Sequence, residues 1–147
     1  NSRMVSSHPF PPPGGFDATT VADITPADWV TGNKNAKVSV ISYGDFQCPA
    51  CAAYEPILQQ LEEEYASNVK FVFRNYPLAI AAHDKSYDAA IATEAAGMQG
   101  KFWDMQNLLF NNQQAWTAAP TYKQMWKDYA TKIGLDVALE HEKVTKT

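Results

Sequence analysis

The chain has 147 residues and a formal net charge of -4. That length suits one domain with a single hydrophobic core, and the acidic balance argues against a nucleic-acid or anionic-membrane binder, which would carry a basic stripe. No apolar run approaches the roughly 18 residues needed to span a bilayer, and the polar, proline-rich start does not read as a signal peptide.

Residues 1–16 contain Pro9, Pro11, Pro12 and Pro13 followed by Gly14-Gly15, with almost nothing to bury. They read as a disordered or extended linker. This is either a tether from a membrane anchor upstream or a terminus of no consequence. The first residue is Asn1 rather than Met, which fits a processed or expressed piece of something longer. In the lead-in that follows, Val21 to Ile24 suggests a short strand. Thr25-Pro26-Ala27-Asp28 suggests a turn or helix start, and Asn33-Lys34-Asn35-Ala36 is turn chemistry.

Val38 to Tyr43 is apolar or β-branched at nearly every position, as in a central strand covered on both faces. A helix starting near Pro49 places Tyr54, Ile57, Leu58, Leu61 and Tyr65 on one face. Pro56 lies inside it, and Glu62-Glu63-Glu64 reads as a solvated face. Val69 to Tyr76 is a second strand, closed by Pro77. Strand, helix and strand in this order predict a βαβ unit with parallel strands.

The rest is helical. Asp84–Met98 carries Tyr87, Ile91, Ala95 and Met98 on one face. Lys101–Asn111 carries Phe102, Trp103, Met105, Leu108, Leu109 and Phe110. Tyr122–Ile133 ends at Gly134, a helix stop, and Asp136 could cap one more helix through Val137 and Leu139. These aromatic and Met positions read as core rather than as a cofactor site. The domain plan is therefore a linker at 1–16, a βαβ part at 17–83 and a helical part at 84–147.

The chain holds two cysteines, Cys48 and Cys51, with Pro49 and Ala50 between them. A disulfide closing so small a loop removes little entropy from the unfolded chain, so the pair reads as redox chemistry rather than a staple. At a strand-to-helix junction, Cys48 stands where unpaired N–H groups and the helix dipole favour a thiolate. Pro49 suits the first helical turn. Cys51 falls one turn further in, more buried and within reach. Cys48 then forms the mixed disulfide with a substrate and Cys51 resolves it, while Pro49 and Ala50 tune the potential. The same spacing is half of a zinc site, but His8, His83 and His141 are not placed as a partner pair. His83 reads as a helix cap or a surface residue. No resident metal or cofactor is expected.

Tyr43-Gly44-Asp45-Phe46-Gln47-Cys48-Pro49-Ala50-Cys51, followed by Tyr54, Pro56, Leu61 and Tyr65, resembles the DsbA-like branch of the thioredoxin-fold oxidoreductases. So do Phe73-Arg74-Asn75-Tyr76-Pro77-Leu78 and the stretch from Ala95 to Met105. The resemblance runs from about Trp29 to Leu139. It implies an α/β thioredoxin-like core with a helical insertion, in the periplasm or otherwise outside the cytoplasm of bacteria. The implied activity is donating or exchanging disulfides with protein thiols, with a redox partner in the membrane.

Two departures stand out. The family commonly has a buried acid six residues before the first cysteine, where this chain has Ser42, so proton transfer at Cys51 is expected to rely on water. Asp45, nearer in sequence, points to the opposite strand face or caps the turn. A complete member also has a cis-proline loop and further strands after the helical insertion, whereas the one proline after Pro77 is Pro120, at a helix approach. The expectation is a truncated part of a longer protein, without the C-terminal strands of the core, or a chain that completes itself with another copy or partner as a homodimer or domain-swapped assembly. A different class of reading has two such chains holding a metal between their cysteine pairs.

Overall fold

The computed structural model describes residues 23–137. The linker at 1–16, His8, His141, Leu139 and the first half of the suggested strand Val21–Ile24 lie outside these residues. Three strands and five α-helices follow in the order β1 (Trp29–Gly32), β2 (Val38–Gly44), α1 (Pro49–Tyr65), β3 (Val69–Asn75), α2 (Ser86–Met98), α3 (Phe102–Asn111), α4 (Gln113–Ala118) and α5 (Tyr122–Lys132), with a 3₁₀ turn at Ala81–His83 before α2.

β2, α1 and β3 form the expected βαβ unit, with Ser42 opposite Phe73 in a parallel pair. The sheet order is β1-β3-β2, and β1 runs antiparallel to β3. β2 is therefore not the central strand its composition suggests. β3 takes the middle place because β1 pairs with it. β2 has one neighbour among the described residues, and Val38 and Val40 are 49% and 39% exposed. The strand expected in the lead-in lies at Trp29–Gly32, while Thr25 to Asp28 forms the expected turn, closed by the Asp28 N–H donating to the Thr25 carbonyl at 3.1 Å.

The core lies between the sheet and the helices α2 to α5. Phe46, Phe73, Phe102, Met105, Leu109, Phe110, Trp116 and Trp126 are buried in it. Phe46, from the loop after β2, packs against Phe73 and Phe110 with ring centroids 5.5 and 4.7 Å away. Burying such a ring stabilises by roughly 1.5–3 kcal/mol, so the loop that leads to Cys48 is anchored in the core.

Two helix faces differ from expectation. In α2 Ala89, Ala90, Thr93, Ala95, Ala96 and Gly97 are buried, so Ala95 of the expected face is in the core, while Tyr87 and Met98 are exposed. Small residues win that face because the helix packs closely: a Cβ at Gly97 would fall 2.2 Å from a ring carbon of Trp29. In α1, Glu55 is the one buried residue, and Tyr54, Ile57, Leu61 and Tyr65 are exposed. The described elements contact the side of α1 that carries Glu55, and none covers the apolar stripe. Glu62 departs from the solvated face in turn. It is partly buried, and burial with the nearby Glu55 charge pushes its carboxyl up to about 7, while Glu63 and Glu64 are exposed.

Candidate active site

β2 ends at Gly44, and the chain turns through Asp45, Phe46 and Gln47 into α1. The turn is an Asx turn: Asp45 Oδ1 accepts the Gln47 N–H at 2.8 Å, and the Cys48 N–H donates to the Asp45 carbonyl at 3.1 Å. This places Cys48 at the N-cap of α1 with Pro49 in the first turn, where its missing N–H costs nothing. No acidic side chain stands in that turn, so Cys48 faces the partial positive end of the helix.

Cys51 lies one turn further in. Both cysteines are free thiols and both are half-buried, so burial does not separate them as the spacing suggests. Burial pushes the Cys51 thiol up. A hydrogen bond with the Asp45 backbone opposes this, while hydrogen bonding with the Cys48 thiol and the neighbouring Asp45 charge add to it. The two thiols lie near each other on one helix turn, and burial favours Cys51 as the protonated partner. Pro49 and Ala50 are exposed at the helix tip.

Asp45 is the hub of the site. Its side chain is closed off from solvent, and its carboxylate takes four hydrogen bonds. Oδ1 accepts from the Gln47 N–H at 2.8 Å and the Ser86 hydroxyl at 2.6 Å. Oδ2 accepts from the Leu78 N–H at 2.9 Å and lies 2.7 Å from His83 Nδ1. Burial by itself would raise the Asp45 carboxyl, and these bonds outweigh it and hold it below the usual carboxylate range. His83 is therefore neither a surface residue nor the cap of α2. It is a half-buried partner of Asp45. The helical part also reaches back to the cysteines, since Gln113 Nε2 donates to the carbonyls of Phe46 at 2.7 Å and Cys48 at 2.9 Å.

Sequence reading missed Gln47, His83, Ser86 and Gln113 as parts of the site. The Asp-Phe-Gln run before Cys48 carried a usable turn signal. Gln113 carried none, being 65 residues from Cys48. Ser42 points into the sheet region as a polar residue without charge, donating to the Val72 carbonyl at 3.2 Å. Beside the cysteines, Ser42, Cys51, Tyr54, Glu55, Phe73 and Phe110 help line a cavity of about 260 Å³. Among the described residues no cluster of three or more His, Cys, Asp or Glu could hold a metal ion.

A family model described as thioredoxin matches residues 24–146. The chain belongs to the thioredoxin family. Its fold is DsbA-like. It is similar to the thiol-disulfide exchange protein α-DsbA2 from Wolbachia pipientis, with a TM-score of 0.65 and 21% identity over 78% of this chain and 57% of that one. It is also similar to a thioredoxin-like oxidoreductase from Silicibacter pomeroyi DSS-3, with a TM-score of 0.60 and 26% identity over 80% of this chain and 62% of that one. Over 110 residues it is 34% identical to the Na(+)/H(+) antiporter NhaA 1 of Mycolicibacterium gilvum, a match covering 75% of this chain and 17% of that protein. The chain spans about a fifth of the length of such relatives, so the likeness carries nothing about transport. Among the described residues no helix is long and apolar enough to cross a membrane.

Proposed function

We propose that this thioredoxin-family chain is a thiol–disulfide oxidoreductase that exchanges disulfides with, or donates them to, proteins outside the cytoplasm. The observation that carries this reading is the placement of Cys48 at the N-cap of α1 with the free thiol of Cys51 one helix turn further in.

In the reducing direction the Cys48 thiolate attacks a sulfur of a substrate disulfide. One substrate sulfur leaves as a thiolate and a Cys48–substrate mixed disulfide forms. Cys51 then loses its proton and attacks Cys48 Sγ, which releases the second substrate thiolate. Two electrons pass from the dithiol to the substrate, and the Cys48–Cys51 disulfide remains. Donation is the reverse, and a redox partner in the membrane would then reoxidise the pair. Pro49 and Ala50, which bring neither charge nor side-chain donor next to the thiols, set the potential. An extracytoplasmic setting suits this role because protein disulfides persist in oxidising compartments.

The test is exchange with a disulfide-bonded peptide by the Cys48→Ser variant. Exchange is expected to vanish, and unchanged exchange in a folded variant would remove Cys48 from the role.

A further inference from the structure

On the exchange reading, Cys48 depends for its reactivity on its seat at the end of α1, and α1 does little by itself to secure that seat. The Cys48 side chain makes no capping bond to the helix, so the first turn is not closed from within. Three residues after Phe46 stands Pro49, which has no N–H to close a turn onto the Phe46 carbonyl. Phe46 is fully buried, where an unpaired carbonyl is costly.

Gln113 supplies the missing donors from another part of the fold. It is 7% exposed, and its Nε2 donates to the carbonyls of Phe46 at 2.7 Å and Cys48 at 2.9 Å. Both partners are acceptors, so the two hydrogens of the amide nitrogen face the loop and the amide oxygen does not. The bond to the Cys48 carbonyl adds to the one from the Ala52 N–H at 3.1 Å. Gln113 opens α4, and α4 is not free to follow a shifting loop. Trp116 of that helix is fully buried, donates from its indole N–H to the Leu109 carbonyl at 2.7 Å and packs edge-on to Trp126. The contact is electrostatic as well as mechanical. The Cys48 carbonyl is close to Sγ through their shared Cα, and its negative end opposes a thiolate. The positive end of the Gln113 amide dipole lies on that carbonyl and brings no net charge with it. Asp45, which holds the same loop, carries a negative charge and cannot favour a thiolate in this way.

We propose that Gln113 is a positioning residue for Cys48: bonded to the carbonyls of Phe46 and Cys48, it keeps the Cys48 thiolate at the helix end and so favours the dithiol over the disulfide. The inference rests on the disulfide-exchange reading above. Gln113 acts through the backbone of the loop and takes no part in bond making. The charge on Cys48 Sγ is present in the reduced pair and is lost when the Sγ–Sγ bond to Cys51 forms. A group that stabilises that charge therefore stabilises the reduced state and makes the pair a stronger oxidant. By this route the helical part of the chain sets the redox behaviour of a cysteine carried by the βαβ part.

The test is the equilibrium of the full chain with glutathione, in which the dithiol and glutathione disulfide give the Cys48–Cys51 disulfide and two glutathione thiols. Gln113→Met keeps the length of the side chain and removes both donors. It is expected to shift this equilibrium about fivefold toward the disulfide of the chain, the size of a helix-end interaction with a partly buried charge. Gln113→Glu, which replaces the donor by an acceptor and adds a negative charge, should shift it further in the same direction. A bond that only supports the fold would weaken the dithiol and disulfide forms alike and leave the constant where it is. Gln113→Asn, shorter by one methylene, should shift as Gln113→Met does, and it carries the test if the other two variants do not fold. A constant in the folded variants equal to that of the unsubstituted chain, or moved toward the dithiol, overturns the role of Gln113 while leaving disulfide exchange intact. An unsubstituted chain that forms no Cys48–Cys51 disulfide with glutathione contradicts the exchange reading and this inference with it.

Discussion

His83 Nδ1 lies 2.7 Å from Asp45 Oδ2, the Asp45 side chain closed off from solvent and the His83 ring half-buried over it, at the start of the loop that delivers Cys48 to its helix. The contact joins the segment before α2 to the turn after β2. The cysteine loop is therefore held from two sides of the fold, by Asp45 and by Gln113.

Asp45→Ala should be costly. It strips four groups of their acceptor, among them the buried Ser86 hydroxyl and the backbone N–H groups of Gln47 and Leu78. A loss of about 3 kcal/mol is expected from the orphaned donors, read by chemical denaturation. A loss within a few tenths of a kcal/mol would mean that water replaces the carboxylate at no cost.

Stability should fall on both sides of an intermediate pH. The Arg74 guanidinium, bonded to Asp28 at 2.6 Å, holds the Asp28 carboxyl down from 3.8 to about 2. Asp45 is shifted the same way. A lowered folded-state value gives stability that is present above the unfolded value and is lost as pH falls through the folded one. Glu62 has the opposite sign. Its shift from 4.5 to about 7 gives stability that is full below 4.5 and is lost as pH rises to about 7. Denaturation midpoints across this range should therefore pass through a maximum, and Glu62→Gln should flatten the fall toward neutral pH. An unchanged slope in that variant contradicts the assignment.

Gly97→Ala should destabilise the contact of α2 with β1. The added Cβ would meet the Trp29 ring at 2.2 Å, inside any allowed contact. Trp29 is also stacked on Phe102 at 4.7 Å and donates from its indole N–H to Glu94 at 3.0 Å, so it has little freedom to move aside. A cost of about 1–3 kcal/mol is expected from overpacking, measured by thermal unfolding. A melting temperature equal to the unsubstituted chain's would show that the ring yields freely.

What the sequence made legible was local. The β-branched run at Val38, the Pro49 start of α1 and the Gly134 stop, with its φ of 79°, are written within a few residues of where they act. The spacing of Cys48 and Cys51 on one helix turn is of the same kind. Packing partners were less legible. Tyr54, Ile57, Leu61 and Tyr65 specify a face by their period, but period does not say which element covers it, and no described one does. Trp29–Gly32 is four residues without alternation, and its strand character comes from pairing with β3. The small-residue face of α2 won over its bulkier one because Trp29 and α3 sit close. His83 and Gln113 gain their roles from partners 38 and 65 residues away.

The most direct test of the redox assignment is the equilibrium of Cys48 and Cys51 in glutathione buffers, read by mass after alkylation of free thiols. The pair should interconvert between dithiol and disulfide at a potential above about -300 mV, the region below which structural disulfides resist glutathione. A pair that forms no intramolecular disulfide, or one that stays oxidised as a structural disulfide does, would contradict it.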